Sequence, residues 1–196
     1  MTFSIPAGKK NSLRFSYFRV QGSGDTVAAT DLSLFSVGYT KGDRLYTKYK
    51  LQNVKVSWDF LSYTFHNNIR FKTLWEAQAT GFNTSVDSPL KPTDSSTVSY
   101  YGEGKKWLFY PTLGVGFEQA VSKNFRWELK GSGFGLPKRG ALADGEASAV
   151  FRLGKAEVLA GYKFFYVKTS PKSEFFFKQV LSGPYIGLRW YFERMK

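Results

Sequence analysis

Apolar and polar residues alternate with a period of two along most of the chain. Val54, Val56, Trp58 and Phe60 share one parity, while Asn53, Lys55, Ser57 and Asp59 share the other. This pattern marks strands whose two faces meet different media. It restarts after His66-Asn67-Asn68, where Phe71, Thr73, Trp75, Ala77 and Ala79 oppose Arg70, Lys72, Glu76, Gln78 and Thr80. From Trp107 to Phe117, Phe109, Pro111, Leu113 and Val115 lie opposite Tyr110, Thr112, Gly114, Gly116 and Glu118. Phe125, Trp127 and Leu129 then oppose Arg126, Glu128 and Lys130. Ala147, Ala149, Phe151 and Leu153 oppose Glu146, Ser148, Val150 and Arg152. After Gly154-Lys155, Ala156, Val158, Ala160, Tyr162 and Phe164 oppose Glu157, Gly161, Lys163 and Phe165. Ile186, Leu188, Trp190 and Phe192 close the series against Tyr185, Gly187, Arg189 and Tyr191. With an earlier strand at Leu13, Phe15 and Tyr17, the pattern predicts eight strands and no long helix.

The predicted connections are sorted by length. With the first strand ascending, the links 21–50, 83–105, 136–140 and 169–174 fall at one end, and the first two are long. Within 21–50, Leu32, Leu34 and Tyr46 suggest strand extensions, with Lys41-Gly42-Asp43 as a hairpin tip. A Ser/Thr/Pro-rich stretch over 85–99 reads as loop. The other end has the tight turns at His66-Asn67-Asn68, Ser122-Lys123-Asn124 and Gly154-Lys155. Barrels of the outer membrane have short periplasmic turns and longer external loops. The expected fold is therefore all-β, an eight-stranded antiparallel up-and-down transmembrane β-barrel. It is expected to occupy 1–196 as one domain, with tails at 1–10 and 193–196.

Alternation alone leaves two arrangements open. A soluble lipocalin-like barrel holds its apolar parity inside around a ligand, and an outer-membrane barrel turns it outward. Three features favour the second. The polar parity carries both signs, so Lys55, Asp59, Arg70, Glu76, Glu118, Arg126, Glu128, Glu146, Arg152, Lys163 and Arg189 can close into a paired interior network. Glycines on that parity (Gly114, Gly116, Gly161, Gly187) leave space in a crowded lumen. Aromatics gather near the tight turns, as an interfacial girdle does. The residues expected to face lipid are Val56, Trp58, Trp75, Leu113, Val115, Trp127, Phe151, Ile186, Leu188, Trp190 and Phe192.

Composition narrows the chemistry. The 196 residues include no cysteine, which excludes a disulfide scaffold, a thiolate metal site and a cysteine nucleophile. The single histidine, His66, leaves little for a zinc centre. No stretch approaches the roughly 18 apolar residues of a spanning helix. The first ten residues lack the basic, apolar and small-residue regions of a signal peptide. A net charge of +13 calls for an anionic partner. The loop-side cations Lys41, Arg44, Lys48, Lys50, Lys105, Lys106, Lys138, Arg139, Lys168 and Lys172 suit lipopolysaccharide phosphates. Nucleic acid is the competing polyanion, but no OB- or RRM-type signature accompanies the basic residues.

The segment Tyr185-Ile-Gly187-Leu-Arg-Trp190-Tyr-Phe192 resembles the C-terminal insertion signal of Gram-negative outer-membrane proteins. In that signal a polar or aromatic residue is followed by a glycine two positions on and aromatics five and seven positions on. Its residues here are Tyr185, Gly187, Trp190 and Phe192, with Glu193-Arg-Met-Lys196 following them. The barrel region resembles the small eight-stranded outer-membrane β-barrel proteins (OmpA/OmpX/OmpW-like superfamily), and Ser182-Gly183-Pro184-Tyr185 resembles the entry to their final strand. The resemblance implies a bacterial outer-membrane location, lipid and lipopolysaccharide as partners, and other envelope proteins as partners of the external loops.

Candidate catalytic chemistry is sparse. Lipid A-modifying barrels of this size use a histidine near the external leaflet, whereas His66 falls in a tight turn at the opposite end. Glu118, Glu128 and Glu146 are close enough in predicted register for a carboxylate pair, yet Arg126, Lys130 and Arg152 interleave with them. The expectation is a non-enzymatic barrel with no metal and no cofactor, serving the envelope structurally or through its loops. Passage of small hydrophobic molecules through a lateral opening, with Pro111 or Pro137 breaking the wall, is an alternative. A soluble ligand-binding cup is another.

Overall fold

The computed structural model describes residues 2–7, 10–89, 99–136, 140–170 and 178–191. Among them every regular element is a strand: β1 (Thr2–Pro6), β2 (Asn11–Val27), β3 (Leu32–Leu34), β4 (Val37–Tyr39), β5 (Arg44–Thr64), β6 (Ile69–Pro89), β7 (Ser99–Ala120), β8 (Phe125–Leu136), β9 (Gly140–Leu153), β10 (Ala156–Thr169) and β11 (Lys178–Tyr191). Nine of them form a closed ring in the order β1-β11-β10-β9-β8-β7-β6-β5-β2, and β3 and β4 form a separate hairpin.

The expected count of eight is one short. The ninth strand, β1, comes from the segment read as an N-terminal tail over 1–10. Phe3 and Ile5 lie on its exposed face, and Ser4 is buried between them. β1 pairs antiparallel with β2, Phe3 opposite Phe15, and parallel with β11, Phe3 opposite Trp190. An odd number of strands in sequential order must close through one parallel seam, and β1–β11 is that seam.

The chain resolves into two compact units. The first comprises Met1–Tyr17, Val54–Gln78 and Phe109–Lys196, and holds all or part of each of the nine ring strands. The second comprises Phe18–Asn53 and Ala79–Leu108, which hold the C-terminal parts of β2 and β6 and the N-terminal parts of β5 and β7 together with the β3–β4 hairpin. The long links expected over 21–50 and 83–105 are thus largely strand: β5 and β6 each have 21 residues and β7 has 22. The remainder of the second link, 90–98, lies outside the described residues.

In the second unit the hairpin turns at Phe35 and Ser36, both at positive φ (53° and 64°), the geometry of a type I′ turn. The Phe35 ring covers Gly104, where a Cβ would stand 2.2 Å from its Cε1. Ala28, Tyr39, Leu45 and Val86 form a small apolar core with Leu32, Phe35 and Val37 packed against it, and Tyr39 donates to the Val86 carbonyl at 3.3 Å. Lys41-Gly42-Asp43 does turn, with Gly42 at φ 98°, but it leads from β4 into β5 instead of forming the hairpin tip.

A charged interior and an apolar exterior

Within the first unit the two parities are segregated. Lys55, Ser57 and Asp59 on β5 are buried while Val54, Trp58 and Phe60 between and beside them are exposed. The same inversion recurs on β11, where Arg189 is 4% exposed, Ile186 83% and Leu188 64%. On β7, Thr112 is buried and Leu113 is 59% exposed. Ionisable side chains are rarely buried without partners, and here most of the partners lie on other strands of the ring.

Three clusters account for the interior charges. Arg14 on β2 reaches Asp59 at 3.2 Å and Glu76 at 3.6 Å. Lys55 lies 3.5 Å from the same Glu76 oxygen and 2.7 Å from Asp144, whose other oxygen takes Lys163 at 2.7 Å. Glu76 is further fixed by donors from Gln78 and Thr112, both at 3.2 Å, and Ser132 at 2.5 Å. In the second cluster Arg189 forks onto Glu128 with 2.7 and 3.0 Å contacts, and Arg126 forks onto Glu157 at 2.6 and 2.5 Å. Arg126 Nε also reaches Glu128 at 2.9 Å, and Lys130 pairs with Glu128. In the third, Glu118 accepts from Lys72 at 2.6 Å and from Arg70 at 3.2 Å. Glu146 stands 3.8 Å from Lys163.

Charge balance is the consequence. Among the described residues Arg14, Lys55, Lys72, Arg126, Lys130, Lys163 and Arg189 stand against Asp59, Glu76, Glu118, Glu128, Asp144, Glu146 and Glu157, seven inward cations to seven carboxylates, and Arg70 reaches Glu118 from an exposed position as an eighth cation. Nearly all of the chain's +13 therefore resides outside this network. Burial of so many charges is tolerated only where each is paired and hydrogen-bonded. Apolar side chains share the interior parity too: Leu74, Val150, Leu159 and Phe165 are all buried. Paired charges and large apolar groups together fill a ring of this size.

Several expectations need correction. Arg152 is exposed and donates to the Gly154 carbonyl at 3.3 Å, because it lies at the end of β9 beside the turn. Arg70 is likewise exposed, with only its tip reaching Glu118. Arg126, Glu146 and Lys163 are half-buried, and Val56 and Trp127 on the apolar face are half-buried as well. Trp58, Trp75, Val115, Phe151 and Trp190 are exposed, while Phe192 falls outside the described residues. Tyr185 and Gly187 are half-buried on the interior parity, with the Tyr185 ring 3.6 Å from where a Gly187 Cβ would be. Gly114 has a different cause: a Cβ there would meet the Gly131 carbonyl at 2.3 Å, so the neighbouring backbone, not a side chain, demands glycine.

Asp144 was missed by the sequence reading although it extends the Glu146–Ser148 parity by one step. The carboxylates Glu118 and Glu128 do face each other in register, but cations bind both. His66 is exposed in the β5–β6 turn. Of the basic positions expected to meet phosphates, Lys41, Arg44, Lys48, Lys50, Lys105 and Lys106 lie in the second unit and Lys168 on β10. Lys138, Arg139 and Lys172 are outside the described residues, as are Pro137 and 193–196.

Among the described residues the wall of the first unit is interrupted between β7 and β8. The β7–β8 ladder runs from Ala120–Arg126 to Leu113–Gly133; beyond it Phe134, Gly135 and Leu136 pair with β9. Pro111 stands just past the last β7–β8 pair and has no N–H to donate. An apolar groove of about 740 Å³ opens there, lined by Trp58, Trp75, Pro111 and Leu113 from the exposed parity and by Glu76 and Thr112 from the buried one. No family model, curated protein or solved structure matches the chain.

Proposed function

We propose that this chain is a non-enzymatic β-barrel of the bacterial outer membrane, an envelope-structural or surface-interaction protein whose lumen is filled by side chains. The observation that carries this reading is the segregation of parities: balanced ion pairs fill the ring while Ile186, Leu188, Trp75 and Leu113 stand outside. In water each exposed apolar surface forgoes about 25 cal/mol per Å² of burial. Against hydrocarbon the same surface is at home, and the closed ring leaves few backbone groups unpaired. The soluble cup requires the opposite facing and loses its support.

On this reading the tight turns at 65–68, 121–124 and 154–155 are periplasmic. The lysines and arginines of the second unit meet lipopolysaccharide or other envelope proteins. The test is folding medium. The chain is expected to fold only with detergent or lipid and to migrate differently on SDS gels before and after boiling. A folded monomer in plain buffer contradicts the proposal.

The groove at Pro111 favours a second reading, a lateral exit for small hydrophobic molecules. Gly133→Leu should fill it; uptake of an apolar dye into vesicles that is unaffected by this change speaks against the conduit.

A further inference from the structure

The outer faces of four strands change chemistry along their length. On β5 the outward positions Val54, Val56, Trp58 and Phe60 give way to Tyr46, Lys48, Lys50 and Gln52, and on β2 Phe15 and Tyr17 give way to Arg19 and Gln21. Within the second unit the polar stretches of β2, β5, β6 and β7 enclose a cleft of about 320 Å³. Gln21, Lys48, Lys50, Asn83, Tyr101 and Glu103 line it.

We infer that this cleft binds a phosphorylated saccharide. Lys48 and Lys50 are two residues apart on one face of β5, so their Cα atoms are separated by ~7 Å at ~3.4 Å per residue, a spacing that lets two ammonium groups bracket one phosphate. Among the described residues neither lysine is held in an ion pair. Opposite them Lys105 engages Glu103 at 2.8 Å, and Tyr101 and Asn83 also hydrogen-bond to Glu103, which holds its carboxyl below the usual range. That carboxylate repels a polyanion but accepts hydrogen bonds from sugar hydroxyls, as does the Asn83 amide. The exposed Tyr101 ring supplies an apolar face for the pyranose, and the cleft volume suits a single sugar. A nucleic acid strand would place further phosphates against Glu103. The inference deepens the outer-membrane proposal by assigning its anionic partner to one site.

The source of the sugar is either a glycolipid headgroup or a soluble phosphorylated glycan. The experiment titrates the full chain, in whichever medium it folds, with N-acetylglucosamine 6-phosphate, N-acetylglucosamine and inorganic phosphate, following heat release. The phosphosugar is expected to bind at least tenfold more tightly than either fragment. Lys48→Gln combined with Lys50→Gln should weaken it at least tenfold, Tyr101→Ala should weaken it by a smaller factor, and Lys123→Gln, in the β7–β8 turn and outside the cleft lining, should leave it within twofold. Competition by lipopolysaccharide in mixed micelles assigns the headgroup, and binding without competition assigns the soluble glycan. Equal affinity for phosphate alone, or an unaltered Lys48/Lys50 double variant, overturns the site. Folding without detergent would instead overturn the membrane proposal, and the titration separates the two failures.

Discussion

Lys55 Nζ sits 2.7 Å from Asp144 Oδ2, although β6, β7 and β8 separate their strands in the ring. A pair that joins non-adjacent strands must cross the enclosed space, so it reports directly that these side chains occupy the interior. The two residues are 89 positions apart in sequence, and no local pattern specifies their meeting.

Asp144 is bound by both Lys55 and Lys163, whereas Glu76, the other carboxylate near Lys55, keeps Arg14. Asp144→Asn removes the nearest partner of two ammonium groups, leaving Lys55 with Glu76 at 3.5 Å and Lys163 with Glu146 at 3.8 Å, and should destabilise the protein by about 3–5 kcal/mol. Lys55→Met leaves each carboxylate another cation and should cost less, about 1–3 kcal/mol. Urea unfolding in lipid vesicles gives both values, and the reverse order would refute the assigned pairing.

Backbone crowding at Gly114 makes a second contrast. A methyl group there meets the Gly131 carbonyl at 2.3 Å, while one on Gly131 has nothing within 4 Å. Gly114→Ala should cost about 1–3 kcal/mol through strand displacement. Gly131→Ala should stay within about 0.5 kcal/mol. The same unfolding assay distinguishes them.

Depth along β11 yields a third. Ile186 and Val180 are both exposed on the outward parity, six residues apart. Ile186→Lys should cost about 2–4 kcal/mol as the ammonium enters the hydrocarbon, and Val180→Lys about 0–1 kcal/mol near the interface. Equal, small effects at both positions would mean that water bathes this face.

Asp25 and Arg44 in the second unit titrate in the open. Arg44 donates to the Asp25 carboxylate at 2.5 and 3.1 Å and holds its pKa below the usual range. A depressed carboxylate contributes its stabilisation above the unfolded pKa of about 3.9 and loses it as pH falls through the folded value. Carbon-detected NMR titration should place Asp25 low in the native protein, and Arg44→Ala should return it to the ordinary range.

Legibility in the sequence followed the physics of the two faces. Along β5 from Val54 to Phe60, one apolar and one charged neighbour alternate because the faces meet different surroundings, and that alternation was readable. On β2 beyond Tyr17 the apolar residues switch parity, from Phe15 and Tyr17 to Phe18 and Val20, and Gly22-Ser-Gly24 follows, so the period breaks and strand reads as loop. Thr2–Pro6 escaped for another reason. Five residues ending in proline carry too little periodicity, and its parallel pairing with β11 is non-local. Parity alone also misplaced Arg152, since a long side chain at a strand end turns outward to its own hairpin.

The central claim is that hydrocarbon contacts the outward parity. With no native cysteine, single nitroxide labels at Trp58, Leu188 and Glu157 can be read by their collision with oxygen and with a water-soluble nickel chelate in lipid vesicles. The account predicts oxygen-dominated relaxation at Trp58 and Leu188, and shielding from both relaxers at Glu157. Chelate-dominated relaxation at Trp58 and Leu188 would contradict it.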